Sequence, residues 1–324
     1  MIPETDKDRI KQWAGEYAGD ILLRYAICDH PMDHAFREFA EQFASLSPGV
    51  RAKKDVDAQV TRPTLFVGRQ VAYQALPVDR ELDPFLAILA DTGAFADRIA
   101  PDVRQQLAQL DVPALVNVYV TPHCPFCPHT VSLLLGLAAC SQHVRVTIID
   151  GERFTDAAQK DRVSAAPTVI LDDQFRWTGS VAAGELVTLM LDRDPANLGA
   201  EALRSMIEDG NADDLARMMI ARKTIFSAFI DLLAHPRWSV RLGAMVTFET
   251  LAEASPDLAD EIVNPLMAIY ADADSTVQGD LLHVMGESGN STALPFLASV
   301  AAGADDPEVR SAAEEAIEKL KSEH

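Results

Sequence analysis

The feature that most constrains this chain is a seven-residue apolar run, residues 114–120 (ALVNVYV), followed at once by Thr121-Pro122-His123-Cys124-Pro125-Phe126-Cys127. The run has the length and composition of a buried strand. The prolines break it, and the apolar stretch beyond Cys127 reads as a helix over 125–139. Two cysteines separated by two residues therefore sit at a strand-to-helix junction. There the free N–H groups and dipole of the helix favour a thiolate on Cys124, a charge that a protonated His123 beside it would also favour. Cys127, one turn on, is placed to resolve a mixed disulfide. Thiol–disulfide exchange is the reaction this spacing suits, with the Cys124–Cys127 disulfide as its redox group and no bound cofactor.

Zinc is the competing use of such a pair. It needs two further ligands, and His123, His129 and His143 offer no recognisable spacing. The other two cysteines, Cys28 and Cys140, read as structural, and His30 and His34 as a weak metal candidate. Four cysteines in 324 residues do not make a secreted disulfide framework. The N-terminus, MIPETDKDRI, has no apolar core of a signal peptide, and no window approaches a membrane span. The expectation is a cytoplasmic protein that keeps one dedicated redox pair.

The net charge of −21 argues against nucleic acid and anionic membrane surfaces as partners. It is unevenly spread. Residues 196–324 hold 9 Lys and Arg against 22 Asp and Glu, a net of −13, and the first 195 residues carry −8.

Around the CxxC segment the pattern alternates. Residues 5–18 read as an amphipathic helix with Thr5 as its cap, 21–27 as a strand, and 32–46 as a helix with Phe36, Phe39, Ala40 and Phe43 on one face. Strands at 62–67 and 71–76 and a helix at 80–90, closed near Gly93, follow. A helix at 100–110 leads to strand 114–120, the CxxC helix, strand 144–150, helix 154–163, strand 165–171, a paired strand in FRWTGS, and helix 183–191. The two stretches share a pattern, so residues 20–192 read as an internal duplication. From about residue 198 β-runs vanish. Helix pairs are expected at 224–234 with 238–254, 258–271 with 275–287 and 291–303 with 307–320, with 200–222 as a degenerate capping pair. Val240, Val277 and Val309 recur at 37 and 32 residues, a helical-hairpin period, and such pairs bury their apolar faces by stacking.

Residues 115–190 resemble the thioredoxin/glutaredoxin superfamily through TPHCPFCP and the downstream Ala166-Pro167-Thr168. Residues 10–192 as a whole resemble the N-terminal region of the flavoprotein subunit of alkyl hydroperoxide reductase, and the archaeal protein disulfide oxidoreductases. The supporting segments are Arg62-Pro63-Thr64-Leu65-Phe66-Val67, Leu76-Pro77 with Glu81, Ala90-Asp91-Thr92-Gly93, Ile149-Asp150-Gly151, and Arg162-Val163 before Ala165-Ala166-Pro167. Residues 200–321 resemble HEAT repeats, which generally bind proteins. The resemblance implies an α/β arrangement of two tandem thioredoxin-like folds followed by an all-α HEAT-like helical repeat domain. The boundaries expected are 1–98 (no CxxC), 99–195 (with CxxC) and 196–324.

By the same resemblance Cys124 is the attacking thiol, Cys127 the resolving thiol, Pro167 a cis-proline beside them, and Glu81 an acid–base group near the redox centre. Arg80 stands where the family motif has a histidine, and a solvated carboxylate at a helix start is the other reading of Glu81. No GxGxxG fingerprint is present, so electrons are expected from an external reductase or glutathione. The expected activity is reduction of a partner protein disulfide, a peroxidase for instance, with the helical repeats as a docking surface. The alternative is a redox-sensing interaction scaffold in which the repeats are the working part.

Overall fold

The computed structural model describes residues 1–17, 19–90 and 92–322. Ala18, at the end of the expected first helix, and Asp91, within Ala90-Asp91-Thr92-Gly93, lie outside the described residues. The described chain divides into two compact units, Met1–Asp192 and Arg193–His324.

Unit 1 opens with α1 (Glu4–Glu16), β1 (Ile21–Ala26), α2 (Asp33–Leu46), β2 (Val50–Lys54), β3 (Thr64–Val67), β4 (Val71–Gln74), α3 (Leu82–Ala90) and α4 (Thr92–Asp97). It continues with α5 (Pro101–Leu107), β5 (Ala114–Val120), α6 (Cys127–Cys140), β6 (Val144–Asp150), α7 (Thr155–Lys160), β7 (Thr168–Leu171), β8 (Phe175–Thr178) and α8 (Ala183–Asp192). The eight strands form one sheet, ordered β2-β1-β3-β4-β6-β5-β7-β8. In the first half β1 pairs parallel with β2 and antiparallel with β3, which pairs antiparallel with β4. The second half repeats this: β5 is parallel to β6 and antiparallel to β7, which is antiparallel to β8. The halves join where β4 runs parallel to β6, with Val71 opposite Val146 and Tyr73 opposite Ile148. The duplication read from the sequence is thus one continuous sheet.

The periodicities explain the packing. On α2, Phe36, Phe39, Ala40 and Phe43 are all buried, the i, i+3, i+4, i+7 stripe of a helix laid on a sheet. Phe39, Phe43 and Tyr73 each pack around Phe85 with ring centroids 5.2–6.0 Å apart. Strand β5 is almost wholly buried, as a central strand covered on both faces must be.

Three local expectations are corrected. The chain has a strand, β2, where none was read: only its Val50 is buried, and it is an edge strand, where charged side chains deter pairing with other chains and remove the apolar pattern. Thr5 does not cap α1, which begins at Glu4 behind Pro3 with no side-chain cap. Gly93 does not close a helix but lies inside α4.

Unit 2 is all helical: α9 (Ala200–Glu208), α10 (Ala212–Arg222), α11 (Ser227–Leu233), α12 (Trp238–Ala254), α13 (Pro256–Ala259), α14 (Val263–Tyr270), α15 (Ser275–Glu287), α16 (Leu294–Gly303) and α17 (Pro307–Ser322), with short 3₁₀ turns between. Val240, Val277 and Val309 are buried at the starts of α12, α15 and α17, as the repeat spacing predicts. Successive pairs are tied by specific contacts. The Arg241 side chain, only 3 % exposed, donates to Asp280 at 2.6 Å and to the carbonyls of His235 and Pro236 at 2.8 and 3.1 Å. Gly286 lets α15 approach α17 so closely that a Cβ there would stand 2.9 Å from Ala316 Cα.

Candidate active site

Strand β5 delivers residues 121–126 as a turn, closed by the Cys124 amide donating to the Thr121 carbonyl at 3.1 Å. Helix α6 then begins at Cys127, held down by the buried face of Val131, Leu134, Leu135 and Ala138. Its first amide, that of Cys127, donates to Cys124 Sγ at 3.1 Å. A donor at a helix N-terminus stabilises negative charge on the acceptor. On the other side Cys124 Sγ donates to the Ala166 carbonyl at 3.5 Å, and the Ala166–Pro167 peptide bond is cis. The structure therefore brings Cys124, Cys127 and Pro167 together. Cys124 is 8 % exposed and Cys127 fully buried, while Phe126 between them is 71 % exposed. All four cysteines are free thiols in this structure. Burial pushes the Cys127 thiol far up, helped by its contact with Cys124 and by the nearby Glu81. It leaves Cys124 as the thiol that water and substrate can reach.

Glu81 joins this cluster. It lies just ahead of α3 at 5 % exposure, so the solvated helix-start carboxylate is excluded. Burial pushes its carboxyl up to about 7. Neither of its carboxylate oxygens has a hydrogen-bond partner among the described residues, nor does the buried hydroxyl of Tyr73, whose ionisation burial and the Glu81 charge both oppose. A carboxyl that titrates near neutrality beside a buried thiol is equipped to take up and return its proton.

The remaining sequence candidates stand apart. Cys28 is half-buried, and burial raises its thiol. Cys140, also half-buried, donates to the Ala96 carbonyl at 3.7 Å. The His30 ring accepts from the Met32 amide at 3.1 Å, and His34 lies 3.6 Å from Glu38. Among the described residues no group of three or more His, Cys, Asp and Glu side chains is gathered for a metal.

Sequence reasoning missed a second site-like loop. Six residues, 27–32, link β1 to α2, as six, 121–126, link β5 to α6. The equal lengths set His30-Pro31-Met32-Asp33 in the place of Cys124-Pro125-Phe126-Cys127, and Pro63, ahead of β3, in the place of Pro167, ahead of β7. The Asp33 carboxylate accepts from the amides of Cys28 at 3.2 Å and His30 at 3.1 Å. The buried Phe154, between β6 and α7, packs on the His30 ring at 5.2 Å. The proline shared at the second of these four positions, Pro31 and Pro125, was the available signal.

Comparison with known proteins fits this geometry. A thioredoxin-domain model matches residues 114–192 and a HEAT-repeat model residues 226–318. Unit 1 is a tandem thioredoxin fold. The tandem thioredoxin unit also matches the solved protein disulfide oxidoreductase of Aeropyrum pernix k1, at a TM-score of 0.51 and 15 % identity over 58 % of this chain and 91 % of that one. Among curated proteins the chain is 22 % identical over 238 residues to an alkyl hydroperoxide reductase component of Pseudomonas putida, covering 69 % of this chain and 45 % of that protein. It is 20 % identical over 238 residues to an NADH dehydrogenase of Ferdinandcohnia aciditolerans, covering 69 % and 44 %. The chain therefore spans less than half the length of these relatives. The likenesses support a thiol redox role for the tandem thioredoxin unit. The HEAT-repeat match accords with the stacked helix pairs of unit 2.

Proposed function

We propose that the chain is a thiol–disulfide oxidoreductase that reduces a partner protein disulfide through Cys124 and Cys127. The observation that carries this reading is the Cys124 sulfur, held at 3.1 Å by the first amide of α6 above a buried second thiol. Cys124, as thiolate, attacks one sulfur of the substrate and the other leaves as a thiolate. Cys127, giving its proton to Glu81, attacks Cys124 Sγ and expels the first substrate sulfur. The dithiol loses two electrons, the substrate gains them with two protons, and Cys124–Cys127 becomes a disulfide. Pro167 borders the groove in which the mixed disulfide lies. An external reductase or glutathione returns the electrons, in a reducing compartment such as the cytoplasm. The helical repeats dock the partner.

Redox titration of the full chain with thiol counting by mass spectrometry tests this. A two-electron couple confined to Cys124 and Cys127, and a mixed disulfide trapped on Cys124 in Cys127→Ser, are the expected results. No reversible couple overturns the proposal.

A second reading, a redox-sensing scaffold, draws on one observation. Trp238, Leu242 and Val246 are exposed at four-residue intervals on α12, an apolar stripe suited to a partner helix. On that reading partner affinity changes with oxidation state while turnover is negligible.

A further inference from the structure

Two open clefts flank the cysteine loop. The first, of about 560 Å³, is lined by Arg9, Arg80, Pro122 and His123 with Asp6 and Asp79. The second, of about 310 Å³, is lined by Arg80, Arg98, Pro128 and His129 among others. They meet at Arg80, the residue next to Glu81.

Over the two clefts together three arginines face three aspartates, but the second cleft alone holds two arginines against one aspartate. Arg9 is already committed: it pairs with Asp6 at 2.8 Å and with Asp83, and donates to the Asp79 carbonyl at 2.9 Å. Its single charge offsets one of the two acids, Asp6 and Asp83. Among the described residues no acid pairs with Arg80, Arg98, His123 or His129. Arg98 lies over the Phe95 ring at 4.6 Å, a contact that leaves its N–H groups free. In the second cleft Arg80 and Arg98 face a single acid, Asp83, which Arg9 pairs. In a chain of net charge −21, these two guanidinium groups on the rim of a redox pair form a local cationic collar.

Resting on the oxidoreductase reading, we propose that the collar selects the substrate: Cys124 acts on protein disulfides flanked by carboxylate side chains. Arg80 and Arg98 receive the acids on one side of the disulfide while exposed Phe126 covers its apolar face. Guanidinium groups suit this task because they pair with carboxylates through two N–H groups at once. The electron balance is the one given above, with the two electrons of the Cys124–Cys127 dithiol passing to the substrate disulfide.

The test is single-turnover reduction of two synthetic peptides by the pre-reduced full chain. The peptides share one disulfide loop, flanked by Glu in one and by Lys in the other. The Glu peptide is expected to react about tenfold faster at low salt, and the ratio to shrink toward unity at high salt. In Arg80→Glu/Arg98→Glu the ratio inverts. Because it is taken within one protein sample, loss of active protein does not affect it. Equal rates, or a faster Lys peptide in the wild type, overturn the inference and leave the oxidoreductase standing. Reduction of neither peptide overturns both.

Discussion

The two halves of the tandem unit have the same strand order, the same six-residue loop into a helix and a proline before the third strand, yet the structure places two thiols together in only one of them. Both loops set an acceptor against backbone amides near the helix start, but from opposite sides. In the first half the Asp33 carboxylate, in the place of Cys127, accepts from the upstream Cys28 and His30 amides. In the second the Cys124 sulfur, in the place of His30, accepts from the downstream Cys127 amide and can form a new bond. The surroundings differ as well. The buried Phe154 packs against the His30 ring, while clefts open on both sides of the cysteine loop. The scaffold brings an acceptor and backbone amides together in both loops, and the side chains at the two ends of the motif decide whether the acceptor serves as a cap or as a reagent.

The harshest way to break this comparison is to exchange the side chains. Cys124→Ser is expected to abolish insulin disulfide reduction, by at least about a thousandfold, since no other thiol stands beside a resolving partner. His30→Cys/Asp33→Cys puts the thiol pair into the first half. It is expected to add no second two-electron couple in a redox titration, because loss of the Asp33 carboxylate leaves the Cys28 and His30 amides without the acceptor that holds the loop. A second couple there would show that the side chains alone separate the halves.

Glu81 tests whether the active half depends on its neighbour for a proton acceptor. Glu81→Gln is expected to slow reduction at pH 8 on the order of a hundredfold and to flatten the pH–rate profile near 7. The same group ties stability to pH. Its folded-state value of about 7 exceeds the ordinary 4.5, so between these values the native state binds more protons than the unfolded chain. Stability therefore falls as pH rises from 4.5 to 7, by about 3 kcal/mol in all. Urea unfolding at pH 5 and pH 8 should show this fall in the wild type and lose most of it in the glutamine variant. A fall of equal size in the variant would assign it to other groups.

Asp33→Ala leaves two amides of the silent loop without their acceptor. It is expected to cost about 2 kcal/mol in urea unfolding while leaving insulin reduction within twofold. The smallest effect belongs to unit 2. Gly286→Ala forces α15 from α17 and is expected to cost about 1–2 kcal/mol, again with the redox couple unchanged.

Much of this was legible from local pattern. The run 114–120, the cysteine spacing and the valines at 240, 277 and 309 each carry their meaning within a few residues. What local pattern lacked were contacts between distant segments. Glu81 is reached through the family resemblance alone, since in local pattern it is a polar residue ahead of a helix, and the fold buries it. Phe154 reads as an ordinary core residue until it is seen against His30. Strand β2 hides because an edge strand needs little apolar surface, and four of its five side chains are not buried. The likeness of His30-Pro31-Met32-Asp33 to the cysteine loop emerges only when equal loop lengths align two segments that share a single proline.

The parallel join of β4 to β6 has a practical consequence for anyone wishing to make a smaller catalyst. A chain trimmed to begin after Arg98 would keep both thiols, the cis-proline and a complete four-stranded half-sheet. It would also lay bare the flank of β6 that β4 covers, an unprotected ladder of amides and carbonyls running from Val146 to Ile149 that invites self-assembly. Such a minimal reagent should precipitate before it can be assayed, and a graft that covers β6 with a charged, proline-bearing segment would be the first requirement of its design.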